Sequence, residues 1–335
     1  MKKYLVMALF AVSVLTMVGC GSSNKEEVSV ETNVAQETVT ITSLNGSGEK
    51  VELEVPFDPQ RIAILDLASL DILDSLGLGD RVVGSADTSI DYLGDYANNE
   101  EIANLGTIKE ADMEAVMACE PDVIFIGGRL AASYDALSEI APVVYLATDI
   151  ELGLVESVSQ NATTIASMFG KEEEVAAKIA EFKTRVDALA AVGKDQTALV
   201  GMCTSGSFNL LGDTGRCSII GNELGFNNIG TEFASSDKKG ENKENTSSHG
   251  NESSFELIKS LNPQYIFVLD RDAAINTEGA QLAKDIMNNE LVNATDAYKN
   301  GNVVYIENPA VWYTAEGGIS AMDIMLSDLE AALLK

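Results

Sequence analysis

The feature that most constrains this chain is an alternation of short apolar strands and helical patterns that stops once, for about forty residues, and then resumes. RIAILD (61–66) leads into LASLDILDSLGL, VVGSA follows, DMEAVMACEP leads into DVIFIGG (122–128), and ASYDALSEIAP leads into VVYLA. From Gly153 to Val192 there is no strand pattern, only helical periodicity: VESVSQNATTIASMFG and then KEEEVAAKIAEFKTRVDALAAV. Val175, Ile179, Phe182 and Val186 form an apolar stripe on the second part, behind an acidic start. Beyond it come TALVGMC, SFNLLG, CSIIGNELGF, SFELIKSLNP into QYIFVLD (264–270), NVVYI and a closing helix, ISAMDIMLSDLEAALL. Alternation of this kind predicts α/β lobes with mainly parallel, Rossmann-like sheets. The strand-free stretch predicts a helical rod with one break near Gly170, joining the two lobes.

The rod divides the chain into a lobe at 39–152, a bridging helix at 153–193 and a lobe at 194–335. TVTITSLNGSGEKVELEV (38–55) reads as an opening β-hairpin around Asn45-Gly46-Ser47-Gly48. A weak repeat relates the lobes. Glu114-AVMACE-Pro121-Asp-Val-Ile-Phe125 matches Glu256-LIKSLN-Pro263-Gln-Tyr-Ile-Phe267, with Glu, Pro, Ile and Phe in the same register. A helix running into a strand through proline is a common unit, but equal spacing on either side of the rod favours two related lobes. Ligands of open α/β sheets bind beyond the carboxyl ends of the strands, so the strand ends of two such lobes define a cleft.

The N-terminus sets the expected location. Lys2 and Lys3 precede the apolar run YLVMALFAVSVLTMV, which ends in Gly19-Cys20-Gly21 and a polar tether. That is the pattern of a secretory signal, 1–19, cleaved before a cysteine that becomes acylated, although Met17 stands where leucine is usual. Residues 20–38 then form a lipidated Cys20 and flexible tether, and the mature chain is expected on the extracytoplasmic face of the cell membrane. A formal net charge of −30 argues against nucleic acid or an anionic surface as partner. The remaining cysteines, Cys119, Cys203 and Cys217, show no CxxC spacing and read as buried thiols, with a Cys203–Cys217 disulfide open as an alternative.

Three of the six arginines lie where the cleft should be: Arg129 after DVIFIGG, Arg216 in the LLGDTG turn and Arg271 after QYIFVLD. Each has a local explanation, since Arg216 could cap its turn and Arg271 could pair with Asp270 or Asp272. Together, three guanidiniums at the cleft edge of so acidic a chain point to an anionic ligand with delocalised oxygens. The loop NPAVWYTAEGG (308–318) carries the sole tryptophan, Trp312, beside Tyr313, a pair that could equally pack beneath the last helix. The sole histidine, His249, sits in NTSSHGNESSFE (245–256), where an isolated imidazole is usually just solvated. If the His249 and Tyr313 loops converge, imidazole and phenolate suit ferric iron, but two donors cannot fill six positions. Iron would have to arrive already chelated.

GDTGRCSIIGNELGF, His249-Gly250 ahead of SFELI, VLDRDAA and PAVWYTAEGG give the chain its resemblance to a known family. It resembles the ferric-siderophore-binding lipoproteins of ABC importers, most closely the branch taking ferric catecholates of the petrobactin type, over nearly the whole mature length. The resemblance implies a monomeric, non-enzymatic carrier with no prosthetic group. In it Arg129, Arg216 and Arg271 contact the catecholates, and His249 and Tyr313 complete the coordination of a tetradentate cargo; Trp312, adjoining Tyr313, is expected in the pocket wall. It also implies that Glu114 and Glu256 dock on the permease subunits. One departure is the segment FASSDKKGENKENTSSHG (233–250), longer and more polar than the family's approach to its histidine. The rival readings are a haem or cobalamin carrier of the same fold and, in a different class, a chelatase-like enzyme. The three arginines favour a chelate with concentrated negative charge, and no acid–base pair stands out for catalysis.

Overall fold

The computed structural model describes residues 37–149, 151–234, 251–252 and 254–334. The signal segment 1–19, Cys20, nearly all of the tether and His249 lie outside the described residues.

The first lobe opens with the antiparallel hairpin Thr38–Leu44 and Lys50–Pro56, whose turn at Asn45 places Gly48 at φ +77°. Its sheet is wholly parallel, with Ile62–Leu65 at the centre between Val82–Ser85 and Val123–Ile126, and Ala103–Asn104 and Val143–Tyr145 at the edges. The second sheet has the same parallel centre: Thr197–Thr204 beside Tyr265–Asp270, and Tyr265–Asp270 beside Val303–Tyr305. It differs by an antiparallel strand, Ser207–Leu210, folded back on Thr197–Thr204 and itself paired with Asn251–Glu252.

Alternate residues of each central strand enter different cores, which is why the strands read as unbroken apolar runs. Ile62, Ile64, Val123 and Phe125 face one cluster, while Ala63, Leu65, Ile124 and Ile126 face the outer helices of their own lobe. In the second sheet Val200, Met202, Phe267 and Leu269 join that same first cluster, and Leu199, Ile266 and Val268 face outward. One continuous apolar core therefore runs from sheet to sheet through the helices between them.

Those helices are Leu154–Ser167 and Glu172–Gly193, broken at Gly170 with φ +66°. The break does more than kink a rod, because the two helices pack against each other across it. Leu154–Ser167 lies on the first lobe, and Glu172–Gly193 alone makes the crossing. At 1.5 Å per residue its 22 residues span about 33 Å. The last helix, Ile319–Leu333, packs on Glu172–Gly193 and also on the first lobe's helix Leu67–Ser75. Arg185 clamps the first of these contacts, with Nε 2.7 Å from Glu330 and an ion pair to Asp323 2.5 Å away.

Asp71 clamps the second. It is fully buried and accepts the backbone N–H groups of Ser320 (2.7 Å) and Ala321 (2.8 Å), together with the Tyr92 hydroxyl. A carboxylate from one lobe thereby satisfies the first amides of a helix from the other. A side chain at Gly318 would run into that carboxylate, so glycine is needed there. Burial pushes the Asp71 carboxyl up to about 6 in spite of these donors.

Cys119, Cys203 and Cys217 are free and buried, and burial raises each thiol, Cys203 to about 12. From Ala283 to Lys299 the chain forms three short helices, Ala283–Met287, Glu290–Asn293 and Asp296–Lys299, that the sequence pattern did not announce.

Candidate ligand cleft

The two copies of the helix–strand repeat share their caps and turn geometry. Asp112 caps the helix Met113–Ala118 and Ser254 caps Phe255–Leu261, so Glu114 and Glu256 both occupy the second helical position, and both are exposed. Each helix ends in a residue with φ +45°, Glu120 or Asn262, directly before the proline that starts the return strand. A turn that short sends the strand back antiparallel to its helix. The carboxyl end of each strand therefore lies on the same side of its lobe as the glutamate of its own repeat.

At those strand ends lies a cavity of about 470 Å³ walled by both lobes, within the range of small-molecule sites. The first lobe contributes Asp66, Gly127, Gly128 and Arg129; the second contributes Arg216, Tyr313 and Glu316. Asp66 ends the strand Ile62–Leu65 and caps the next helix, accepting from Ser69 N (2.9 Å) and Ser69 Oγ (2.8 Å). Gly127 leaves room for that carboxylate, which any side chain there would strike.

Arg129 and Arg216 approach from opposite lobes. Burial and then the facing Arg216 guanidinium lower the pKa of Arg129, with Asp66 and Tyr313 partly compensating. Two cations turned toward one cavity are most stable with an anion between them. Arg216 Cζ lies over the Tyr313 ring, 4.1 Å from its centroid, and its Nε is 3.4 Å from the Tyr313 carbonyl oxygen. Tyr313 is nearly buried, and its hydroxyl accepts from Arg271 Nε at 3.2 Å.

Arg271 does not line this cavity. Its guanidinium is held by Asp272 (3.1 Å) and Thr204 (3.3 Å) and bears on the cleft through the Tyr313 hydroxyl. Asp272 is itself buried and also accepts from Ser205 N at 2.6 Å. The local pairing that Arg271's position allowed is thus present. The expectation for Trp312 is corrected outright. Its ring is fully buried, Nε1 donates to Asp328 at 3.0 Å, and it faces the last helix instead of the cleft. In the short helix Pro309–Thr314, neighbouring residues point in different directions, so Tyr313 takes the cleft and Trp312 the core. The other arginines are used elsewhere: Arg61 on the carbonyl groups of Cys119 and Glu120, and Arg81 on Asp58.

The carboxyl groups in the cleft were missed from sequence. Asp66 ends the strand RIAILD and Glu316 lies in PAVWYTAEGG, so a search of strand ends for acids as well as arginines would have found both. Glu316 accepts from Cys217 N at 3.2 Å, and burial pushes its carboxyl up to about 7, opposed by Arg216. Burial likewise raises Asp66, opposed chiefly by its Ser69 hydrogen bonds and then by Arg129. Near neutral pH Glu316 therefore cancels less of the arginine charge than a count of residues suggests.

A two-lobed α/β chain with a bridging helix and a cationic, aromatic cleft at its strand ends is a solute-binding protein. The sequence model of the periplasmic binding protein family matches residues 62–310, and the chain belongs to that family. It is 30% identical over 338 residues to the petrobactin-binding protein YclQ of Bacillus subtilis, covering 100% of both chains. The YclQ crystal structure matches with a TM-score of 0.78, over 90% of this chain and 100% of that one. The ferric-anguibactin-binding protein FatB of Vibrio anguillarum is 28% identical, over 97% of this chain and 96% of FatB. The periplasmic catecholate-siderophore-binding protein VctP of Vibrio cholerae is 30% identical with a TM-score of 0.76, over 88% of this chain and 100% of VctP.

Proposed function

We propose that the protein captures an iron(III)–siderophore complex of the catecholate type in this cleft and hands it to an ABC permease, returning the ligand chemically unchanged. The observation that carries this reading is the pair Arg129 and Arg216, two guanidiniums from opposite lobes lining one cavity. Planar, always-charged forks of this kind suit the delocalised oxygens of an anionic chelate. The names of YclQ, FatB and VctP support the same substrate class.

Arg129 and Arg216 contact the chelate directly in this reading, while Arg271 orients Tyr313. Tyr313 and His249 become iron ligands when the siderophore offers only four donors, with the imidazole neutral as coordination requires. Glu114 and Glu256 dock on the permease; their matching helix positions and exposure support that role. Acylated Cys20 would hold the carrier, as a monomer, on the outer face of the cell membrane. The domain scheme is that of the sequence reading, with the crossing assigned to Glu172–Gly193.

The test is a titration of tetradentate and hexadentate ferric catecholates, followed by the chelate's own charge-transfer absorbance. The unaltered protein should bind both classes, and His249→Ala/Tyr313→Phe should weaken the tetradentate ones at least tenfold more while shifting their colour. Failure of the unaltered protein to bind any ferric catecholate would end the substrate reading. Equal losses without a colour change would instead remove His249 and Tyr313 from the metal.

A further inference from the structure

Next to the cleft lies a larger cavity of about 720 Å³, set between the opening hairpin, the loop after Val143–Tyr145 and the helix Leu154–Ser167. Leu146, Ala147, Thr148, Asp149 and Asn161 line both spaces, so the loop 146–149 is their common wall. That wall is pinned in place. Asn161 Nδ2 donates to Ala147 O at 3.0 Å, Asp149 N donates to Ser157 Oγ at 2.8 Å, and the same hydroxyl donates to Asp149 O at 2.9 Å.

The chemistry on the two sides of the wall differs. The cleft presents guanidiniums, whereas the larger cavity presents the side chains of Ser159, Gln160, Thr163 and Thr164. Among the described residues, Ser159, Gln160 and Thr163 have no side-chain hydrogen-bond partner, which leaves amide and hydroxyl groups available to a ligand. The charges at its edge are compensated: Lys50 Nζ is 3.3 Å from Asp149, and Glu156 is 3.2 Å from Lys183 Nζ. A chelate confined to the cleft would use only the smaller of two adjoining spaces.

We infer that the larger cavity is the second half of the binding site, taking a neutral, linear arm rich in amide and hydroxyl groups attached to the anionic chelate. The inference rests on the chelate reading of the cleft and deepens it. Arg129 and Arg216 hold the charged head, and the arm crosses the rim of the pinned loop 146–149. There it exchanges hydrogen bonds to water for hydrogen bonds to the exposed polar face of Leu154–Ser167. Selectivity among cargoes with the same iron-binding head then comes from this helix face.

The experiment uses the full chain and two synthetic ferric bis-catecholamide chelates with one common head. One is bare, and the other carries a pendant triserine amide arm. Thr163 and Gln160 are exposed on the helix, so Thr163→Trp and Gln160→Trp fill the cavity without entering the core. The unaltered protein should bind the arm-bearing chelate at least tenfold more tightly than the bare one. Each tryptophan variant should erase that preference and leave the bare chelate within twofold of its original affinity. No preference in the unaltered protein, or one that survives both variants, would overturn the inference. So would an equal loss of both chelates, which would mean that the wall had been deformed. If triserine amide alone tightened the bare chelate, the cavity would be a separate ligand site, and the continuous arm would be wrong. Should neither chelate bind the unaltered protein, it is the chelate reading that fails.

Discussion

The two lobes are built on one helix–turn–strand unit but use its strand end differently. In the first, Val123–Ile126 runs into Gly127-Gly128, and one guanidinium, Arg129, reaches the cleft. In the second, the matching strand Tyr265–Asp270 delivers Arg271 to Tyr313 instead, and the cleft cation is Arg216, from a turn after the antiparallel strand Ser207–Leu210. Equivalent backbone positions therefore do not imply equivalent roles at the ligand. The glutamates behave in the opposite way: they keep the same helix position and the same exposure in both lobes. The exposed helix position preserves the repeat, while the strand ends at the cleft abandon it.

The sharpest way to break this comparison is to remove what the lobes share. Glu114→Ala/Glu256→Ala should abolish cellular uptake of ferric siderophore, with affinity for the isolated protein changed less than twofold. Loss of affinity in that variant would place these residues at the cargo.

The next test separates what the lobes do not share. Hydrogen bonds to charged groups contribute about 1.5–3 kcal/mol each, so Arg129→Ala or Arg216→Ala should weaken ferric-catecholate binding by roughly tenfold or more. Arg216→Ala should be the more damaging, because Arg216 also covers the Tyr313 ring. Arg271→Ala should weaken tetradentate cargo more than hexadentate cargo, since it acts through the Tyr313 hydroxyl. If all three variants bound ferric catecholates normally, the cleft would have to be moved.

A smaller effect is expected where the lobes are joined. The Asp71 carboxyl has its pKa raised from 3.8 to about 6, so between those values the folded chain holds a proton that the unfolded chain has released. Its stabilising contribution is present in full below pH ~4 and is lost as pH rises through about 6. At about 1.4 kcal/mol per pH unit, that amounts to roughly 3 kcal/mol. Denaturant titrations from pH 4 to 7 should show the unaltered protein losing stability relative to Asp71→Asn by that order. Parallel curves would mean that the carboxyl ionises in the fold as it does in the unfolded chain.

Much of the architecture was legible because its causes are local. Both faces of each central strand are buried, so the strands appear as apolar runs, and the 3.6-residue stripe of Val175, Ile179, Phe182 and Val186 marks the bridge. The turn-back at Gly170 was half-legible. A glycine announces a break, but whether a helix kinks or folds on its neighbour depends on the surfaces it finds. The short helices between Ala283 and Lys299 were not legible, since single turns leave no period to read.

By itself, the sequence determined the two lobes, the bridge, the repeat with its paired glutamates, and the placement of arginines at strand ends. Those properties depend on residue order, periodicity and net charge, which the chain carries before it folds. Only the tertiary structure decided which of those arginines share a cavity, that Trp312 turns to Asp328 while Tyr313 turns to the cleft, and that Asp71 of one lobe caps a helix of the other. The physical reason is separation along the chain. Arg129 and Arg216 are distant in sequence, as are Asp71 and Ser320, and whether such groups meet is set by how helices and sheets pack. Burial, which moves Asp71, Glu316 and Arg129 from their ordinary protonation behaviour, likewise exists only once the lobes have closed around them.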